Sequence, residues 1–436
     1  MAKRIPPSQR TRERLADLLR EGSAGSPEAL KSSFVQLALQ KVIEELLEGE
    51  ARDAVGRDYY RHGAADAPGG GYRNGYRDDV LRTAEGAVTY AAPQISDRVE
   101  PFRSRLRALL SGRTDELERL GIEMYARGLS TRDIEEATRD ESGAALLSKS
   151  AVSRITEALW AEYEAFATRD LSEFDLAYLF LDGVAERLHP GQKKDAVLCA
   201  WGIDFEGQKH LLHLAPGTKE DSASVGEFLQ DLKRRGLKDP LLTTTDGAGG
   251  LIAGVEAVFP RSVRQRCLVH KLRNLEAKTP EDRWPEFKAH ARACYQAPSL
   301  EVARSLREEV TKRYEKELPT TVQCFTDDFE ACIAHLRFPL GHRRTIRTTN
   351  LLERLFGEER RRTKVLPHAF GERALLKLMY AATLRASEKW RGIHVTPFER
   401  RQLEAIREEL VKAFQERHKP AAKGSTPSRI ASRTGT

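Results

Sequence analysis

The spacing of apolar residues changes several times along the chain, and each change marks a different kind of element. In SFVQLALQKVIEELLEGEARDAV, the positions Phe34, Leu37, Leu39, Val42, Ile43, Leu46 and Leu47 recur mostly at three- and four-residue steps, the spacing of one helix face. Residues 1–65 are therefore expected to be helical. A glycine-rich stretch, GAADAPGGGYRNGYRDD at 63–79, predicts a linker or turn cluster. The following VLRTAEGAVTYAAPQI predicts short strands about a Glu85-Gly86 turn, so that 66–110 form a small, basic, β-containing segment. Its Arg73 and Arg77 stand among Tyr72, Asn74 and Tyr76 and are candidates for contact with a DNA backbone; an ordinary glycine-rich loop is the alternative.

Helical spacing returns over 111–170. Ser130-x-x-Asp133 is a capping signal, and LSKSAVSRITEALWAEYEAF opens a further helix with Ser148 or Ser150 as its cap and Val152, Ile155 and Leu159 as its apolar stripe. The pair resembles a helix-turn-helix whose second helix carries Lys149, Ser153 and Arg154, although many short helical pairs look alike without binding DNA. From 171 to 267 the period falls to that of strands: DLAYLFLD, DAVLCAWGI and KHLLHLA as an antiparallel meander, then a helix, PLLTTTD, a helix and SVRQRCLVH. This order predicts an α/β core of the ribonuclease-H-like kind. Residues 268–345 read as an all-helical insertion with Trp284, Phe287, Tyr295, Tyr314 and Phe329 as anchors. The segment 346–390 would complete the core, and 391–436 a C-terminal helix with a disordered basic tail.

Composition narrows the classes. The 436 residues carry a formal net charge of +7 with 31% charged residues, a moderate basic balance that favours a polyanionic partner. No run of about eighteen apolar residues predicts a membrane span, and the N-terminus has no apolar core of a signal peptide. Five cysteines without a C-x-x-C pair fit a reducing compartment. The expected location is intracellular, in a reducing cytosol.

Three acids are the candidate chemistry. Asp182 closes AYLFLD, Asp246 closes LLTTTD, and Glu353 lies in the helix-like RTTNLLERLFGEERRRTK. Carboxylates at the ends of two hydrophobic strands and on a later helix suit Mg²⁺, which takes hard oxygen ligands. Around Glu353 the surface is basic: from Arg337 to Lys364 nine Lys/Arg stand against three Asp/Glu. Each acid also has a local explanation. Asp182-Gly183 and Asp246-Gly247 are common turn pairs, and Asn350-x-x-Glu353 fits a capping box. Cys267-x-x-His270 is half of a zinc site at most, with His290, Cys294, Cys332 and His335 as the remaining donors; a structural pair near the floor of the site is the other reading.

On these residues the chain resembles the mutator-type transposases of bacterial insertion sequences. The resemblance is carried by YRNGYR (72–77), STRDIEE (130–136), SKSAVSRIT (148–156), YLFLDG (178–183), TTDGAGGLIAGVEAVFP (244–260), QRCLVHKLRN (265–274) and RTTNLLERLFGEERRRTKV (347–365). It departs after the first aspartate, in GVAERLHPGQKKDAV, and at Phe356-Gly357, where the family commonly has Asn-Arg. The resemblance implies a ribonuclease-H-like core split by a helical insertion, and an Asp-Asp-Glu triad on Asp182, Asp246 and Glu353 that holds two Mg²⁺ (or Mn²⁺) ions. Cys267 and His270 would be a supporting motif. It also implies a DNA transposase that cleaves and joins strands at terminal inverted repeats. Arg347, Arg354, Arg360, Arg361, Arg362 and Lys364 would grip phosphates beside the triad. The expected partners are double-stranded DNA, as terminal repeats and as target, and one or more further copies of the chain at synapsis, with no membrane. A non-catalytic DNA-binding regulator and a structure-specific nuclease on the same core are the alternatives.

Overall fold

The computed structural model describes residues 5–21, 27–58, 71–98, 100–140, 143–186, 195–217, 221–350, 372–388 and 390–418. They divide into two units, with the boundary after Ala161.

The first unit begins with helices α1 (Pro7–Glu21) and α2 (Pro27–Val55), followed by strands β1 (Tyr72–Thr83) and β2 (Gly86–Ser96). These two strands form an antiparallel hairpin closed at Thr83↔Gly86. Gly86 takes φ +126°, which a side chain would oppose, and the Thr83 hydroxyl donates to the Gly86 carbonyl at 2.9 Å. One face of α2 packs Ile43 and Leu47 against Leu81, Val88, Tyr90 and Ala92 of the hairpin. Within that contact Glu44, 1% exposed, accepts from Thr11 Oγ1 (2.7 Å), Gln40 Nε2 (3.0 Å) and the Ala91 amide (3.1 Å). The carboxylate thus joins α1, α2 and β2.

One expectation fails here. Residues 72–79 are strand rather than linker, because Tyr72–Asp79 pair with Tyr90–Ser96 through a bulge between Arg73 and Tyr76 at which Gly75 has φ +79°. Most side chains of this stretch face solvent, so no apolar alternation marked it.

Short α3 (Arg105–Leu109) and β3 (Gly112–Arg113, parallel to β1) lead to α4 (Asp115–Ala126), α5 (Thr131–Ala137) and α6 (Lys149–Thr168). Leu117, Ile134, Leu147, Val152 and Ile155 form their common core. The Ser130–Asp133 capping box is present, and Ser148 Oγ accepts from the Ala151 amide at 3.2 Å. The tight connection of the three helices is 127–130, between α4 and α5. Residues 138–148, with an Arg139↔Ala145 bridge, separate α5 from α6 and are longer than a helix-turn-helix turn.

The second unit is built on a mixed sheet of order β6-β5-β4-β7-β8. β4 (Leu176–Glu186), β5 (Asp195–Asp204) and β6 (Lys209–Pro216) form the antiparallel meander, and β7 (Leu242–Thr245) and β8 (Val263–Arg266) add in parallel beyond β4. β4 is apolar without alternation because both its faces are covered. Leu179 and Leu181 pack with α7 (Ser222–Arg234) and α8 (Gly249–Val258). On the other face Phe180 stacks on Trp201 at 3.9 Å, and Tyr178 meets Phe338 and His342.

Helices α9 (Leu268–Glu276), α10 (Trp284–Tyr295), α11 (Leu300–Tyr314), α12 (Pro319–Thr326) and α13 (Phe329–Ile333) have their own core, which holds all five expected aromatic anchors. A 3₁₀ turn (Ala334–Arg337) and α14 (Arg343–Ile346) return the chain to the sheet; α15 (Glu372–Ser387) and α16 (Pro397–Arg417) follow. α16 starts at a Thr396–Glu399 capping box with Pro397 in its first turn, where a missing amide costs nothing. No described helix is long and apolar enough to cross a membrane. The tail 419–436 lies outside the described residues.

Candidate active site

Parallel pairing explains why two acids far apart in sequence meet. β4 and β7 run in register with Tyr178↔Leu242, Leu179↔Thr243 and Phe180↔Thr244. Carried two residues past the last pair, the same offset would bring Asp182 opposite Asp246, and paired neighbouring strands lie about 4.8 Å apart. Asp182 does not end its strand, as its sequence suggested: β4 continues to Glu186 along β5. What ends beyond Phe180 is the pairing with β7, and the acid occupies that step at 4% exposure. Its Oδ1 accepts from the Gly183 amide at 2.8 Å.

Asp246, 8% exposed, follows the last residue of β7, and its Oδ1 accepts from the Ala248 amide at 2.9 Å in a tight turn into α8. Gly247 makes that turn with φ +88°, and a Cβ there would stand 2.7 Å from Arg266 Nε. Arg266 is itself 8% exposed and lies 3.6 Å from both Asp327 and Asp328. Turn chemistry and a chemical role for Asp246 therefore coexist: one oxygen serves the turn.

β8 delivers the next group. The Cys267 amide donates to the Thr245 carbonyl at 2.7 Å, fixing the start of α9 against the end of β7. Cys267 is fully buried, and its Sγ accepts from the Thr349 amide (3.4 Å) and hydroxyl (3.6 Å). Burial pushes this thiol up, but hydrogen bonds from His270 and Thr349 and the His270 charge together outweigh it and leave the thiol lowered. His270 is raised, first by its hydrogen bond with Cys267, against burial, and further by the charges of Cys267, Asp182 and Asp246. The imidazole thus feels the charge of both carboxylates and of the sulfur. The two other histidines considered for zinc are engaged elsewhere. His335 hydrogen-bonds Gln265 and the Tyr295 carbonyl, and His290 bonds Tyr314. Among the described residues no group of three or more His, Cys, Asp or Glu is arranged around a metal position.

The chain leading toward Glu353 is stitched to the same edge. Thr244 Oγ1 donates to the Ile346 carbonyl (2.7 Å) and the Leu268 amide to the Arg347 carbonyl (3.0 Å), and Thr349 reaches Cys267. Glu353, Arg354, Arg360, Arg361, Arg362 and Lys364 lie outside the described residues. Of the other basic candidates, Lys149, Ser153 and Arg154 are exposed on α6, and Arg77 is exposed with Asp79 at 3.8 Å. Arg73 instead donates to the Arg57 carbonyl at 2.8 Å, a structural bond. Arg266 and Thr349 were not singled out from sequence, and Gly247 only as the partner of Asp246 in a turn.

The fold and site define a mixed α/β protein with two buried carboxylates, one on the central strand β4 and one directly after its neighbour β7. Comparison with known proteins then places it: residues 11–392 match the family described as Transposase, Mutator family, and the chain belongs to that family. It is 31% identical over 354 residues to the transposase for insertion sequence element ISRM5 of Rhizobium meliloti, covering 81% of this chain and 87% of that protein. It is 32% identical over 272 residues to the transposase for IS6120 of Mycolicibacterium smegmatis, covering 62% and 84%. With the transposase for IS1081 of Mycobacterium tuberculosis the identity is 29% over 389 residues, 87% of this chain and 89% of the relative.

Proposed function

We propose that the chain is a metal-dependent DNA transposase with a ribonuclease-H-like core, acting on the terminal inverted repeats of an insertion sequence. The observation that carries this reading is the register that sets Asp182 level with Asp246, both buried and both acting on His270. Family membership and the sheet order, three antiparallel strands followed by two parallel ones, support it.

The donors fit a hard cation: two carboxylates with less than a tenth of their surface exposed, each with one oxygen held by a backbone amide. Asp182 and Asp246, with Glu353 completing the set, would hold Mg²⁺ or Mn²⁺. Bound there, the ions would activate the attacking oxygen and stabilise charge on the phosphodiester in transit. The chain's own part is to hold the acids, through Gly183, Ala248 and the Arg266-backed turn, and to fix residues 346–349 beside β7 and α9 through Thr244, Leu268 and Cys267. One hydrolytic cut would free a 3′-hydroxyl at the element end, and that hydroxyl would attack target DNA in line. Exposed Lys149, Ser153 and Arg154 on α6 are the residues proposed to read the repeats, with synapsis in a homodimer or larger assembly.

The test is Asp182→Asn in the full chain with a terminal-repeat duplex and Mg²⁺. Cleavage is expected to vanish while the duplex is still bound; cleavage that persists would sink the assignment. Cutting of branched DNA without joining would point instead to a nuclease.

A further inference from the structure

Helix α2 is committed on two sides. Ile43 and Leu47 are buried against the β1–β2 hairpin, and Glu44 and Glu48 accept from the Thr11 and Ser8 hydroxyls of α1 at 2.7 and 2.6 Å. A third face is apolar and open. Val35, Val42 and Leu46 are exposed at 43%, 50% and 54%, and Phe34, at 40%, stands next to Val35 in the chain. Single exposed apolar residues are ordinary, but a row of them along one helix face marks a surface that another chain covers.

The row has a symmetry of its own. From Lys31 through Val35, Ala38, Val42, Leu46 and Gly49 to Asp53, the steps are four, three, four, four, three and four residues. With about 3.6 residues per turn, these positions all lie within about 40° of the direction of Val42, over about 33 Å of helix. The spacing reads the same from either end, with Val42 at its centre. A twofold contact uses one patch on both copies, so the patch must match itself when reversed. This one does. Two such helices packed antiparallel would set Val42 on Val42, Ala38 on Leu46, Val35 on Gly49 and Lys31 on Asp53. Small residues meet larger ones, and the cation at one end meets the anion at the other.

We propose that this face of α2 is a self-association surface, on which a second copy of the chain packs its own α2 antiparallel about Val42. The surface rests on α2 alone and needs neither DNA nor metal, so it goes beyond the catalytic reading.

The test is sedimentation equilibrium of the full chain without DNA or metal. The wild type is expected to dimerise reversibly. Val42→Asp/Leu46→Asp should raise the dimer Kd on the order of 100-fold or more, since four side chains per dimer lose their cover. Val302→Asp, at an exposed apolar site of α11, should leave it unchanged. Register is read by charge: Lys31→Glu should weaken the dimer, and Lys31→Glu/Asp53→Lys should restore it. Orientation is read by oxidation. All five native cysteines are buried, so Val42→Cys should give a covalent dimer, Val35→Cys none, and Val35→Cys/Gly49→Cys one again. A wild type that stays monomeric overturns the proposal, as does a dimer that survives Val42→Asp/Leu46→Asp. A monomer whose urea stability falls in Val42→Asp would mean that a segment of the same chain covers the row, which also overturns it. Cleavage by the wild type is measured separately. A dimer that cuts no DNA counts only against the catalytic reading, and a monomer that cuts counts only against this surface.

Discussion

Replacing Gly247 by Ala tests whether the turn after Asp246 is as constrained as its surroundings indicate. At φ +88° an alanine costs about 1–2 kcal/mol in backbone strain. Its Cβ would also stand 2.7 Å from Arg266 Nε and 2.9 Å from Cζ. That guanidinium cannot swing into solvent cheaply, because it is buried and lies between Asp327 and Asp328. Overpacking of this kind adds about 1–2 kcal/mol, for a total of about 2–4 kcal/mol. Urea unfolding followed by tryptophan fluorescence reads it, since Trp201, Trp284 and Trp390 all lie in the second unit. Catalysis should suffer more than stability: a carboxylate displaced by about 1 Å is enough to lower cleavage on the order of 100-fold. Gly249→Ala is the control, since a Cβ there meets nothing within 4 Å and its φ is not positive; it should be neutral or stabilising by about 0.5–1 kcal/mol. In an Arg266→Ser background the steric part of the Gly247→Ala cost should disappear, leaving only the strain. If Gly247→Ala matches Gly249→Ala in stability and cleaves like the wild type, the reasoning is wrong.

Three further outcomes are expected. His213, buried and stacked on Phe228, has its pKa lowered to about 4, first by burial and then by Arg235. Its folded value lies below the unfolded one, so its contribution is complete above about pH 6.5 and is lost as the pH falls toward 4, about 3 kcal/mol in all. Urea midpoints of His213→Gln should be flatter across that window, and an equally steep fall would exclude His213 as the source. Glu44→Ala leaves Thr11 Oγ1 and the Ala91 amide without their acceptor, and circular dichroism during urea unfolding should show a loss of about 2–4 kcal/mol in the first unit. Tyr178→Phe removes the buried 2.7 Å bond to His342 Nδ1 and should cost about 1–2 kcal/mol with no change in DNA binding; a larger loss of binding than of stability would contradict a purely structural role.

The order of elements in the second unit was legible because both of its signals are strong. Strands such as AYLFLD are apolar on both faces, and the helices between them have clear stripes, Val225, Phe228, Leu229 and Leu232 among them. Less legible was anything set by pairing. Strand β1 hid in a glycine-rich, polar stretch, because its contribution is backbone hydrogen bonds across a bulge rather than buried side chains. The continuation of β4 past Asp182 depends on β5, which no local pattern announces.

The separation of the acids shows how sequence and structure divide the problem. Asp182 and Asp246 are each explained locally as a turn residue, and at Asp246 the turn is real. What supports a further role is the constant offset of the β4–β7 register, Tyr178↔Leu242 through Phe180↔Thr244. Carried two residues further, the same offset would bring Asp182 of β4 opposite Asp246, the residue after β7, and both are buried. A fold that needed only turns would have no reason to bring them together, since asparagine serves the same turns without the charge. Retaining two buried acids there costs stability, which the proposed cation between them would recover. Asp182→Asn/Asp246→Asn should therefore be at least as stable as the wild type in metal-free buffer while cutting no DNA. A marked destabilisation would mean that the two acids are there for the fold and not for chemistry.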